Sequence, residues 1–213
     1  MPAPSMAPMP TPAPTRVVLS EVVDPIYREA VIAVVRKPTI AARGTFGEFI
    51  CAPNLFEWLL AHPDRVALAW RRMGVPCVEI SDVGNGKFAW ADGEGSELVW
   101  QKVGQFKDGL IWYATGKVKA SPVTPTVPVK AVVVMTYPKR PVKDETMAVT
   151  PMAQVYLHTD SKAAALVMRV MGPSAPKMAE EGADQLVLFF VGVARHAHTH
   201  PEKAEALLAP AKK

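Results

Sequence analysis

Val78-Glu79-Ile80-Ser81-Asp82-Val83-Gly84-Asn85-Gly86-Lys87-Phe88-Ala89-Trp90 decides the fold. Its first half alternates apolar and polar residues at period two. Gly84-Asn85-Gly86 then supplies the residues that a tight turn with positive φ demands, so the stretch predicts a β-hairpin. Working outward, residues 87–92 give the second strand, with Phe88 and Trp90 on one face. Gly93-Glu94-Gly95-Ser96 turns the chain into residues 97–105, where Leu98 and Trp100 oppose Val99 and Val103. After a turn at Lys107-Asp108-Gly109, Leu110, Trp112, Ala114 and Val118 alternate with Ile111, Tyr113, Thr115, Lys117 and Lys119. The near end of this fourth strand reads as buried on both sides and its far end as wet on one. Residues 127–137 close the run, since the β-branched crowding of Val132-Val133-Val134 favours a strand.

The flanks of this meander predict the rest of the domain, with helices before and after covering one face of the sheet. Residues 20–37 read as an N-terminal helix, with capping chemistry over Ser20-Glu21-Val22-Val23-Asp24-Pro25, a continuation through residues 26–35 and a stop at Pro38. Within residues 39–52, the alternation over 45–51 gives an opening strand that Pro53-Asn54 ends. Two short helices follow: Leu55, Phe56, Leu59 and Leu60 share a face of the first, Val66, Trp70 and Met73 a face of the second, with Asp64 as its cap. Beyond a charged loop at 139–145, residues 147–158 predict a sixth strand after the turn at Cys77. Residues 161–171 form a first helical segment that Gly172-Pro173-Ser174-Ala175-Pro176 interrupts, and residues 177–199 form the main C-terminal helix. Its acidic residues stand near the start, and Arg195 and its histidines near the end, as the helix dipole prefers. Leu186, Val187, Phe190, Val193, Ala194 and Ala197 make one stripe, while Leu188, Phe189 and Val191 extend apolar surface around the helix. Gly192 costs roughly 1 kcal/mol there relative to alanine, so it marks close packing, a kink or space for a ligand.

The 213 residues, 49% apolar and 21% charged, fit one globular domain with extensions. Residues 1–19 are expected to be a disordered leader, since six prolines and no charge fall within the first 15, and residues 201–213 a tail. The net charge of +4 is a modest excess with no interleaved aromatic stripe, which argues against nucleic-acid binding. Cys51 and Cys77 read as free thiols. No secretory signal or spanning segment is evident, so the expected location is cytoplasmic.

A strand, two short helices, six strands and a long C-terminal helix: this order, over about 39–199, resembles the helix-grip superfamily. Its members include the START-related lipid-transfer domains, the polyketide cyclases and the pathogenesis-related plant allergens. The resemblance implies an α+β fold, a curved antiparallel sheet of about seven strands wrapped on the C-terminal helix. It also implies a hydrophobic cavity between the two for lipids, sterols or polyketides. The broken last helix, the extra N-terminal helix and the single opening strand place the chain nearer the small bacterial members.

The residues themselves offer candidates for such a cavity: Phe88, Trp90, Trp100, Leu110 and Trp112 from the sheet, Met135, and Leu186 and Phe190 from the helix. Large side chains there either fill the space or line it. Met152, Met168, Met171 and Met178 would add adaptable wall. Glu48, Glu79, Asp82, Arg71 and Tyr113 are the polar residues that could reach inside, where a carboxylate with a raised pKa would serve as a general base.

Other motifs carry less. In His196-x-His198-x-His200, only His196 and His200 share a helical face, so a metal site is a weak candidate beside an exposed charge cluster. Gly84-x-Gly86-x-x-Ala89 formally matches a dinucleotide fingerprint but leads into a strand, leaving no helix N-terminus for a pyrophosphate. No nucleophile elbow, phosphate-binding lysine loop or Cys-x-x-Cys occurs, and no cofactor is called for. The leading expectation is binding or transport of a hydrophobic small molecule without covalent chemistry, with a transient membrane contact left open. A cyclase or hydratase on a polyketide-like substrate and a filled-core protein-interaction module are the alternatives.

Overall fold

The computed structural model describes residues 17–119, 123, 125–142, 145–159 and 172–210. The expected helix over 161–171, with Met168 and Met171, and residues 1–16 of the leader expected over 1–19 lie outside the described residues, while Leu19 already begins a helix. In chain order the elements are α1 (Leu19–Val22), α2 (Pro25–Arg36), β1 (Ile40–Thr45), β2 (Phe49–Cys51), α3 (Leu55–Ala61), α4 (Pro63–Arg72), β3 (Ile80–Gly84), β4 (Lys87–Ala91) and β5 (Glu97–Phe106). Then come β6 (Gly109–Val118), β7 (Val127–Thr136), β8 (Lys139–Pro141), β9 (Met147–Val149) and β10 (Met152–His158). A 3-10 turn (Gly172–Ser174), the long helix α5 (Ala175–Thr199) and α6 (Pro201–Leu208) end the chain.

This is an α+β fold. Seven antiparallel strands form one open sheet in the order β1-β10-β7-β6-β5-β4-β3, and β2-β9-β8 form a second, smaller sheet. The large sheet with its long C-terminal helix is compatible with a helix-grip layout. The predicted hairpin is present, with Gly84, Asn85 and Gly86 at φ of 85°, 54° and 69°. The expected opening strand and sixth strand are each broken in two. Pro151 has no N–H to extend a ladder, and its carbonyl instead accepts the Phe46 amide at 3.2 Å, so both chains leave one sheet for the other at the same level. Phe46, Phe49, Phe56 and Tyr137 stack edge to face along this second sheet, with successive centroids 6.5, 5.5 and 5.8 Å apart.

Period-two alternation sends β6 and β7 side chains to two different cores. Leu110, Trp112 and Met135 join Val187, Phe190, Val191 and Val193 on the α5 face. Ile111, Val132 and Val134 join Val23, Val31, Val34 and Val103 on the other. Helices α3 and α4 share the α5 core as expected, through Phe56, Leu59, Leu60, Val66 and Ala69, whereas α2 covers the opposite face. Val31 and Val34 of α2 are buried against Val103, Ile111, Val132 and Val134 on that face. Asp24 caps α2 by accepting the Ile26 amide at 2.9 Å. At α4 the cap is not Asp64, since Pro63 already occupies the first turn and Asp64 pairs with Arg65 at 3.1 Å.

The C-terminal residues expected as a tail form α6 instead. Arg72 holds its end by donating to the carbonyls of Ala206, Leu207, Ala209 and Pro210, a cation where the helix dipole is negative. Met178, expected in the core, is 51% exposed, and Leu188 is also on the outside of α5.

Two glycines set how α5 lies. At Gly44 of β1 the helix backbone comes so close that a Cβ would collide with the carbonyl carbon and oxygen of Ala183. The adjoining Thr45 amide donates to Asp184 Oδ1 at 2.8 Å. At Gly192 the Trp70 ring takes the space a side chain would need, and Trp70 Nε1 donates to the Phe189 carbonyl at 2.9 Å. Of the readings open for Gly192, close packing is the one realised. Gly44→Ala should therefore cost roughly 1–3 kcal/mol or more from overpacking. Gly47→Ala, where nothing lies within 4 Å, should stay within about 0.5 kcal/mol. Paired urea melts measure both.

Candidate functional site: the α5 face of the sheet

Because directly opposed residues share a face, the registers extend the α5 face across the sheet. Trp112 opposes Val133, Trp100 opposes Ala114 and Phe88, and Leu98 opposes Trp90, which opposes Ile80. One largely apolar face thus runs from β1 to β3, interrupted by exposed Lys102 opposite Trp112 and Asp82 opposite Phe88. α5 packs mainly on β1, with further contacts to β10 and β2, and Phe190 reaches across to stack on Trp112 at 5.7 Å.

The sequence candidates divide between two parts of this face. Leu110, Trp112, Met135 and Phe190 are buried and pack on one another beneath α5, and Leu186 is half-buried against the same cluster. Each fully buried side chain of this size contributes about 1.5–3 kcal/mol, and the ring stacking about 0.5–1.5 kcal/mol beyond that. Here the large side chains fill the space. Phe88, Trp90 and Trp100 stand together at the other end, on β4 and β5, with Phe88 and Trp100 centroids 6.0 Å apart. Phe88 is buried, whereas Trp90, Leu98, Trp100, Ala114 and Ile80 are half-buried. Their strip adjoins the filled core through Trp100, which packs against it.

One polar atom stands out in the strip. The Trp90 indole Nε1 is buried and, among the described residues, has no hydrogen-bond acceptor. Sequence reasoning placed Trp90 on this face but had no signal for the orphaned donor, which depends on how neighbouring strands shield it.

Of the polar candidates only Asp82 shares the strip's face, exposed opposite Phe88, and the others do not join it. Glu48 pairs with Arg140 at 2.7 Å on the surface, Glu79 and Arg71 are exposed 3.9 Å apart, and Asp82 accepts the Gly84 amide at 2.8 Å. Tyr113 lies on the opposite face beside Tyr27, ring centroids 6.1 Å apart, and burial raises its pKa. His196 and His200 stack at 4.5 Å, but among the described residues no group of three His, Cys, Asp or Glu side chains could hold a metal ion.

Two other hollows bear on function. A recess of about 10 Å³, room for about one water, is bordered by Cys51, Asn54, Glu57, Tyr137, Lys139 and Met147. Lys139 pairs there with Glu57; burial, then the charges of Glu57 and Asp108, push the Tyr137 phenol up to about 12. Burial likewise raises the Cys51 thiol, which makes it a poor nucleophile. The second is an open groove of about 550 Å³ along α2, lined by Pro25, Arg28, Glu29, Ile32, Ala33 and Arg36, one face of a single helix. Among the described residues no helix is long and apolar enough to cross a membrane.

No protein-family model matches this chain, and no curated protein matches it. Among solved structures it is similar to a conserved protein from Geobacillus kaustophilus, at 14% identity and a TM-score of 0.45 over 75% of this chain and 95% of that one. A protein from Thermobifida fusca matches at 15% identity and TM-score 0.29, over 81% and 97% of the two chains. The terminal oxygenase of carbazole 1,9a-dioxygenase from Novosphingobium sp. KA1 matches at 7% and 0.28, over 91% and 56%.

The turn beside the strip is held by Asp92. A side-chain hydrogen bond from Ser96 is the largest cause that lowers its pKa to about 2; desolvation opposes it, and the amides of Glu94, Ser96 and Gly95 lower it further. Ser96 is buried, and its Oγ accepts the Lys119 amide at 3.0 Å, tying the turn to the end of β6. Because the folded pKa is depressed, this stabilisation is complete above the ordinary carboxylate range and is lost as pH falls through about 2. Carbon-detected NMR titration should place Asp92 at about 2, and Asp92→Asn should remove that part of the acid dependence of stability.

Proposed function

We propose that the chain is a helix-grip domain that binds an apolar small molecule, held by burial on the strip of Phe88, Trp90, Leu98 and Trp100. The observation that carries this reading is the division of one largely apolar face. Beneath α5 it is filled by side chains, while at β4 and β5 the aromatic residues stay half-buried. Such a strip can cover one side of a flat or elongated molecule, and covering about 100 Å² of apolar surface would contribute roughly 2.5 kcal/mol. The reading needs no covalent step, and the polar residues named for the cyclase alternative lie outside the strip or on the surface.

The filled packing of Trp112 against Phe190 also favours a second reading, in which the half-buried strip serves a protein partner and takes up no small molecule. Titration with naphthalene, followed by NMR shifts, separates the two. The binding reading predicts saturable one-to-one uptake that Trp100→Ala weakens about tenfold, a loss of about 1.4 kcal/mol, while Trp58→Ala, exposed on α3, leaves it unchanged. No saturable uptake by a folded protein would favour the interaction module.

A further inference from the structure

We infer that the molecule held on this strip carries a hydrogen-bond acceptor, a carbonyl or carboxylate oxygen, that takes the indole N–H of Trp90. The inference rests on the binding reading above and narrows its ligand class from any apolar molecule to an apolar molecule with an oxygen at one point. An indole nitrogen is a donor only. Leaving a buried donor unmade costs about 1–3 kcal/mol, and such groups are rare in folded proteins, so a buried orphan calls for a partner. Trp90 Nε1 is such a group: the atom is buried, the residue is only half-buried, and no acceptor among the described residues reaches it.

The neighbours explain why the protein itself does not satisfy it. On the same face Trp90 is opposed by Leu98 on one side and Ile80 on the other. Neither has a polar side-chain atom. Along its own strand the same-face neighbours are Phe88, which stacks toward Trp100, and Asp92, whose carboxylate accepts the amides of Glu94, Gly95 and Ser96; opposite Phe88, Asp82 accepts the Gly84 amide. The oxygen acceptors of this face are thus engaged with backbone amides and do not reach the buried donor, where an incoming oxygen makes a stronger hydrogen bond than it would in water. A purely hydrocarbon ligand would bury the strip and leave the donor unmade; a ketone, ester or acid would do both. This also sets the orientation of the ligand, oxygen toward β4 and apolar body toward Leu98 and Trp100.

Naphthalene and 2-acetylnaphthalene share a ring system and differ by the carbonyl group, so their affinity ratio reports the acceptor. Both are titrated against the full chain and against Trp90→Phe, which keeps an aromatic ring and removes the donor. The ratio favouring the ketone is expected to be roughly three- to tenfold higher in the wild type than in Trp90→Phe. In the ¹H–¹⁵N spectrum of the wild type, one of the five tryptophan indole signals, that of Trp90, should move downfield with the ketone and not with naphthalene. This second measurement stands even if the variant folds poorly. If both probes bind with the same ratio in the two proteins and the Trp90 signal does not follow the ketone, the acceptor is refuted while apolar binding survives. If neither probe binds the folded wild type, the binding reading falls and the acceptor falls with it.

Discussion

The α5 backbone lies against the β1 backbone at Gly44, with no side chain between them, and the rest of the arrangement depends on this approach. The hydrogen bond that the Thr45 amide donates to Asp184 fixes the helix along its axis. Farther along, the Trp70 ring over Gly192 and its bond to the Phe189 carbonyl fix the rotation about that axis. A helix set so low over β1 brings Phe190 down onto Trp112 and leaves little between helix and sheet. The same placement puts β4 and β5 at the far side of the sheet, where Phe88, Trp90 and Trp100 share a face without being fully covered. Close packing at one end and a half-buried aromatic strip at the other are two results of one constraint.

The opposite face of the sheet reinforces this. With α2 packed on Val103, Ile111, Val132 and Val134, the central strands are buried on both sides, which stiffens the floor on which the strip stands. The β4–β5 turn is held by Asp92 and Ser96 in the same manner, through hydrogen bonds that link three successive amides and the end of β6. A binding surface built on paired strands with a braced turn needs little reordering when a ligand arrives, and therefore loses less affinity to conformational entropy.

Most of the sheet was legible because period-two alternation and glycine-rich turns are local signals. The hairpin at Gly84-Asn85-Gly86, the doubly buried start of β6 and the stripe on α5 all follow from residues near one another in the chain. What was not legible depended on distant partners. The break at Pro151 could be seen as a missing donor, but its match to the break after Thr45 arises only when the two strands pair. α6 depends on Arg72, far away in sequence, and the partners of α2 are Val103, Ile111, Val132 and Val134 on strands remote from it in the chain. For the candidate site, the aromatic residues were visible and their sorting into filled and half-buried groups was not. The height of α5 above the sheet decides that sorting, and Gly44 decides the height.

Native mass spectrometry of protein purified from cells, followed by denaturing extraction and chemical analysis of whatever is released, tests the central claim most directly. The account predicts a stoichiometric apolar adduct bearing at least one carbonyl or carboxylate oxygen. A clean apo mass, with no uptake from a mixed pool of lipids and sterols, would contradict it.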